Sequence, residues 1–245
     1  MKLNIGIQLY TLRDEISLGY DEILKRVADI GYTCVETTYD PANGEEIGKL
    51  LQKYSLKATG SHIGIDEIEN NFDTVKNFLD NIGAKTAVIP WIGGDLIDTE
   101  EKTIETAKRF DVAAKKLASM GYELGFHNHT LEFERKLNGK TIIDIFFEEA
   151  PSLKFQVDAG WAYAGGADVV AVLNKLGARL ASIHIKDVDE KNTPTEIGSG
   201  KVDMKSVIET AAKFVEYGIV EQDSCINYPA FESVKISYDY VKTIN

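Results

Sequence analysis

The acids and histidines of this 245-residue chain gather where short apolar runs end. The fullest gathering is Tyr122-Glu123-Leu124-Gly125-Phe126-His127-Asn128-His129-Thr130-Leu131-Glu132-Phe133-Glu134. It opens with the alternation expected of a strand. It then breaks into His127, His129, Glu132 and Glu134, and so holds two of the four histidines in the protein. Three later runs end alike: Phe155-Gln156-Val157-Asp158, Ser182-Ile183-His184-Ile185-Lys186-Asp187 and Ile219-Val220-Glu221-Gln222-Asp223. A single polar strand end is ordinary solvent exposure, whereas four in succession point to chemistry. Brought to one point, Glu132, Asp158, His184 and Glu221 supply three carboxylates and an imidazole. That set suits one divalent cation with open coordination positions. Its oxygen-rich character favours Mn2+, with Mg2+, Co2+ or Zn2+ as alternatives, over the sulfur and nitrogen sites of structural zinc. Without a cation, the carboxylates would repel and raise one another's pKa values. The competing arrangement pairs one or two of them with Lys186 or Lys201.

The elements that must carry these residues follow a repeated phrase: an amphipathic segment, a glycine, then a short β-rich run. Gly31, Gly83, Gly121, Gly177 and Gly218 each occupy the glycine position, where a left-handed residue ends a helix before a strand begins. Ile23, Val27 and Ile30 share one helical face, as do Ile104, Ala107, Phe110, Ala114 and Leu117. Strands are expected near residues 5–9, 34–36, 57–60, 87–89, 123–126, 155–157, 181–183 and 219–221, with a last helix over 233–242. Their mostly continuous apolar character fits strands buried on both faces. Eight such units in a chain of this length predict an α/β fold, a (β/α)8 TIM barrel, as one domain over residues 1–245. The alternative, a doubly wound open sheet, usually carries a glycine-rich phosphate loop after its first strand, and Gln8-Leu9-Tyr10-Thr11-Leu12-Arg13 is not one. In a closed barrel all strand ends open on one face, where sites in this fold lie.

Composition narrows the partners. Lys plus Arg number 27 against 39 Asp plus Glu, a formal net charge of −12. Such a surface repels phosphate backbones and anionic lipid, so neither nucleic acid nor membrane is an expected partner. Cys34 and Cys225 are too few for a disulfide framework, and a buried thiol in a reducing compartment is the default for Cys34. The N-terminus enters a strand-like pattern at once, without the apolar run of a signal peptide, which reads as cytoplasmic. The oligomeric state is not legible.

Several further residues face the expected barrel mouth. Glu36 and His62 end the second and third strands, and either is a candidate substrate contact; for a lone strand-end Glu the alternative is a surface ion pair. Lys186 lies two residues beyond His184, so it projects to the same side and is placed to hold a substrate oxygen or phosphate, or simply a salt bridge. Trp91, after Pro90, reads as part of a mouth loop. Gly198-Ser199-Gly200 reads as a mobile cover or as a turn.

The motifs together resemble one family. His127 to Phe133 match H-N-H-x-x-E-F. The other matches are Val157-Asp158-Ala159-Gly160-Trp161, His184-Ile185-Lys186-Asp187, Ile197-Gly198-Ser199-Gly200 with Val202-Asp203, and Val220-Glu221-Gln222-Asp223. In these the chain resembles the sugar phosphate isomerase/epimerase superfamily, with its xylose-isomerase-like TIM barrel, from Gln8 to Ser237. The resemblance implies a metal site of the type Glu, Asp, His, Glu, in which Asp158, His184 and Glu221 match the last three positions. His127 stands where many relatives have the first glutamate. That role is therefore assigned to Glu132, with His127 or His129 as the alternative ligand; otherwise both histidines are expected to contact substrate. Trp161 stands where many relatives place a histidine, and it can stack on a sugar face.

The implied activity is metal-dependent proton transfer next to a carbonyl in a carbohydrate or cyclitol, with Glu132 and Glu221 removing and returning the proton. Isomerisation, epimerisation, inosose dehydration and elimination from a 3-keto-glycoside share that first step. A nuclease on the same barrel would need more histidines and a basic surface. The non-enzyme alternative is a sugar-binding barrel without catalysis.

Overall fold

The structure, a computed structural model, describes residues 2–245. Eight parallel strands close into a barrel in chain order: β1 (Asn4–Gln8), β2 (Cys34–Thr38), β3 (Lys57–His62), β4 (Thr86–Ile89), β5 (Glu123–His127), β6 (Lys154–Asp158), β7 (Leu180–Ile185) and β8 (Tyr217–Val220). The last strand pairs back onto the first, Ile7 opposite Val220. The main outer helices are α1 (Gly19–Ile30), α2 (Gly44–Lys53), α3 (Phe72–Ile82), α4 (Glu100–Ala118), α5 (Ile142–Glu149), α6 (Val169–Leu176), α7 (Met204–Ala211) and α8 (Ala230–Ile244). This is the expected single-domain (β/α)8 barrel. Among the described residues no helix is long and apolar enough to cross a membrane.

Alternation along the strands sorts the side chains. Ile7, Val35, Phe126, Val157, Ile183 and Val220 are buried apolar residues. Phe110 of α4 and Phe146 of α5 pack on Phe126 with ring centroids 5.7 and 5.0 Å away. Each such side chain contributes roughly 1.5–3 kcal/mol on burial. The alternate residues Gln8, Glu36, His127, Gln156, Ser182 and His184 are buried but polar and bond to one another across the barrel interior, with Asp158 buried beside them. The upper barrel core is therefore a polar floor beneath the mouth.

Two local expectations shift. Gly31 takes φ 117° and ends α1 as anticipated. Gly218, however, lies inside β8, and a Cβ there would meet Ile185 Cδ1 at 2.8 Å and Leu3 Cδ1 at 2.9 Å. That glycine serves close packing rather than a helix stop. The Gly198-Ser199-Gly200 segment is pinned: Asp187 Oδ2 accepts from the backbone N–H of Gly198 and Gly200 at 2.9 and 3.0 Å. A second oxygen of Asp187 accepts from Val202 at 3.1 Å.

Candidate active site and metal centre

The four expected strand ends converge, with one exchange. A ligand atom from each of His127, Asp158, His184 and Glu221 lies within 4.8 Å of the others, and all four residues are buried. His127 ends β5, Asp158 ends β6, His184 is the penultimate residue of β7, and Glu221 immediately follows β8. Adjacent parallel strands set the spacing, Asp158 standing opposite His184 in register. Asn128 adds a side-chain rung: its Oδ1 accepts from Asp158 N at 2.9 Å and its Nδ2 donates to Asp158 O at 3.3 Å.

Glu132 stands outside this group. β5 stops at His127, and Glu132 falls in the short helix Leu131–Glu134. There it turns back so that Oε2 accepts from His129 N at 2.9 Å. Burial pushes its carboxyl up, partly offset by backbone hydrogen bonds. The arrangement that was the alternative, with His127 in the cluster, is the one the fold assembles. The donor set is consequently two imidazoles and two carboxylates rather than one and three.

Lys186 compensates the carboxylates. It is fully buried, with Nζ 2.8 Å from Asp158 Oδ2, 2.8 Å from Glu221 Oε2 and 2.6 Å from Asp223 Oδ2. Its ammonium also sits 4.8 Å above the Trp161 ring. Burial would discharge it, but Asp158, Glu221 and Asp223 outweigh that and hold its pKa above the usual lysine value. Burial likewise opposes charge on Glu221, yet Lys186 and His184 hold that carboxyl well below the usual range. On Asp158, burial, assisted by the Glu221 charge, prevails over Lys186 and His184, and the carboxyl is pushed up to about 6. His184 donates both ways, Nδ1 to Glu221 Oε2 at 2.8 Å and Nε2 to Glu36 Oε2 at 2.6 Å. Burial disfavours its charge, but those two carboxylates raise the imidazole to about 10.

Two observations fit a divalent cation to this cluster. Four donors from one ring of strands already lie close together. Asp158 Oδ2 is fully buried and has the Lys186 ammonium at 2.8 Å without a well-aligned hydrogen bond, which leaves this oxygen with acceptor capacity for a cation. A second grouping, His62, His127 and His184, shares two members with the first. One nitrogen of each is engaged in the layer below, His62 Nε2 and His127 Nδ1 with Gln156 Oε1 at 2.9 and 3.1 Å, and His184 Nε2 with Glu36.

Above the cluster opens a cavity of about 470 Å3, lined by Tyr10, Thr38, Tyr39, His62, Pro90, Trp91, His127, His129, Glu221 and Asp223. His62, His127, His129 and Trp91 are thus at the mouth as expected. His129 is neutral there: burial, then Lys186, pushes its pKa down to about 4. Trp161 lies half-buried beneath Lys186, with its ring centroid 6.4 Å from that of His129. Glu36 is not at the mouth. Its carboxylate lies inside the barrel, 2.7 Å from Gln8 Nε2, 2.6 Å from Gln156 Nε2 and 3.2 Å from His62 Nε2. A strand-end position does not reveal that its acceptors are taken by neighbours from four other strands. Tyr10, Thr38 and Tyr39 are mouth residues that no motif marks, and Asp223, although inside the Val220–Asp223 motif, is not among the expected site residues. A neighbouring cleft of about 440 Å3 shares Tyr10, Thr38 and Tyr39 but holds none of the cluster.

Comparison with known proteins agrees with this architecture. The inosose dehydratase of Mesomycoplasma hyopneumoniae is 24% identical over 264 aligned positions, covering 98% of this chain and 86% of that protein. The structure of a sugar phosphate isomerase/epimerase from Parabacteroides distasonis superposes with a TM-score of 0.86 at 22% identity, covering 98% of this chain and 93% of the other. A D-allulose 3-epimerase from Methylomonas superposes with a TM-score of 0.73 at 13% identity, covering 100% and 98%. The sequence profile of the xylose isomerase-like TIM barrel family matches residues 24–222, most of the chain. The chain therefore belongs to the xylose isomerase-like TIM barrel family, on whose strand ends the cluster is built.

Proposed function

We propose that this enzyme moves a proton at the carbon beside a carbonyl in a small polyhydroxy compound, a sugar or cyclitol. His127, Asp158, His184 and Glu221 would hold a divalent cation. The observation that carries the reading is the convergence of four donor residues within 4.8 Å on the floor of an open mouth. Two imidazoles beside two carboxylates keep Mn2+ among the preferred ions and favour Co2+ and Zn2+ over Mg2+ as the alternatives. When bound, the cation supplies Lewis acidity that polarises a carbonyl and an adjacent hydroxyl.

The chain's own groups do the rest. Glu221 reaches the cavity as a carboxylate and accepts the carbon-bound proton. His129, neutral and with a buried Nδ1 that has no hydrogen-bond partner, faces the same cavity, where it accepts a proton from a substrate hydroxyl and, as imidazolium, returns it to the substrate. Glu132 fixes the loop that presents His129, through the His129 N–H, in place of the base role given to it by sequence. Lys186 keeps the carboxylates compensated, Asp223 and Trp91 border the substrate space, and Trp161 supports Lys186 from below. The likeness to inosose dehydratases along nearly the whole chain favours a cyclitol ketone, from which the same carbanionic step leads to loss of water. An epimerisation would return the proton to the opposite face instead.

The test is exchange at carbon. Incubated in D2O with metal-loaded protein, one or more of a panel of keto-sugars and inososes should gain deuterium beside the carbonyl. Glu221→Gln should lower that exchange about 10²–10⁴-fold while retaining part of the metal affinity. Exchange unchanged in Glu221→Gln rejects Glu221 as the base, and unchanged exchange in both Glu221→Gln and His129→Gln rejects this pair of roles.

A further inference from the structure

The two histidines of the cluster are useful as ligands only if the nitrogen facing the cation is unprotonated, and each has a second nitrogen that must take the proton. The structure provides for both from one residue. Glu36, on β2, sits below the cluster and does not belong to it. Its Oε2 lies 2.6 Å from His184 Nε2, which leaves Nδ1 turned to Glu221 and Asp158, at 2.8 and 3.9 Å. Its Oε1 lies 2.6 Å from Gln156 Nε2. A carboxylate only accepts, so the nitrogen of the Gln156 amide must face Glu36 and its oxygen must face away. That oxygen is 3.1 Å from His127 Nδ1 and 2.9 Å from His62 Nε2. An amide oxygen likewise only accepts, so His127 carries its proton on Nδ1 and presents bare Nε2 to Asp158 Oδ2, 4.0 Å away.

We propose that Glu36 is the positioning residue that sets the tautomers of both histidine ligands, His184 directly and His127 through the oriented amide of Gln156. The supporting contacts are all enclosed. Glu36 and Gln156 are 2% and 0% exposed, and Gln8 Nε2 and Ser182 Oγ complete their hydrogen bonds at 2.7 and 2.8 Å. Gly60, in register with Glu36 on β3, lets β3 and β4 close tightly beside this layer, since a Cβ on it would lie 2.9 Å from Thr86 O. A surface ion pair needs none of this. The inference rests on the reading of His127, Asp158, His184 and Glu221 as a metal site, but its first readout does not use the metal.

Proton-coupled nitrogen NMR of protein labelled at histidine separates the two neutral tautomers. In the metal-free protein His127 should appear as the pure Nδ1–H form. In the Zn2+-loaded protein His184 should carry its proton on Nε2. Gln156→Leu should turn His127 into a mixture of tautomers and leave the His184 pattern intact. Glu36→Gln should disturb both, and calorimetric Zn2+ affinity should fall roughly 10–100-fold, the usual consequence of losing a ligand's supporting partner. Wild-type tautomers and affinity within twofold of wild type in folded Glu36→Gln would overturn the proposal. Should that variant fail to fold, the His127 spectrum of Gln156→Leu decides: a mixture supports the relay and an unchanged Nδ1–H form refutes it. If wild-type protein binds no Zn2+, the metal reading fails, while the metal-free His127 tautomer still tests the control exerted from Glu36.

Discussion

Lys186 is the residue on which the electrostatics of the site turn. Removing one partner from a buried charge cluster leaves the others uncompensated and typically costs about 3–5 kcal/mol. Lys186→Met should therefore lower the urea stability of the metal-free protein by that amount, since Asp158, Glu221 and Asp223 all lose their counter-charge. Saturating Zn2+ should restore much of the loss; an unchanged denaturation midpoint without metal would contradict the role. His184 adds a pH dependence. Its imidazole is raised from 6.5 to about 10 in the folded protein, burial notwithstanding, by Glu221 and Glu36. The folded state thus holds that proton more tightly than the unfolded chain. The stabilisation is complete below pH 6.5 and fades as pH rises through about 10. Metal-free protein should lose urea stability across that interval, and His184→Gln should lack this component of the slope.

At the scale of elements, the spacing of the site depends on how β5 and β6 end together. Past the last ladder bonds, Asn128 clamps His127 and Asp158 by bonding to both the N–H and C=O of Asp158. Two buried hydrogen bonds contribute about 2 kcal/mol between them, so Asn128→Ala should cost roughly that in urea denaturation and weaken metal binding as well. If stability falls but metal affinity does not, the clamp is structural only. The same elements show what a sequence conveys. Short apolar runs, four of them following a glycine stop, located all eight strands, because a barrel strand buried on both sides has few other ways to be written. Asp158, His184 and Glu221 were legible as ligand candidates because each falls at or next to a strand end, where direction is set by the pleat. Glu132 was misplaced because it lies beyond the strand in a helical turn, where spacing alone does not say that a carboxylate will turn back to a backbone N–H. Glu36 was legible as chemically important but not as internal, since its partners come from β1, β3, β6 and β7, remote in sequence.

Over the whole molecule, the net charge of −12 draws small cations toward a mouth whose floor already gathers carboxylates, and it disfavours polyanions. The polar interior, floored by the Glu36 and Gln156 layer, opens above through the cavity, which gives a small polyol a route to the cluster. The most direct test of the account is anomalous diffraction from crystals of the protein loaded with Mn2+ or Zn2+. One ion per chain is expected among His127 Nε2, Asp158 Oδ2, His184 Nδ1 and Glu221 Oε2, with Glu132 still bonded to the His129 N–H. No ion at saturating metal, or an ion ligated by Glu132 with His127 turned away, would contradict it.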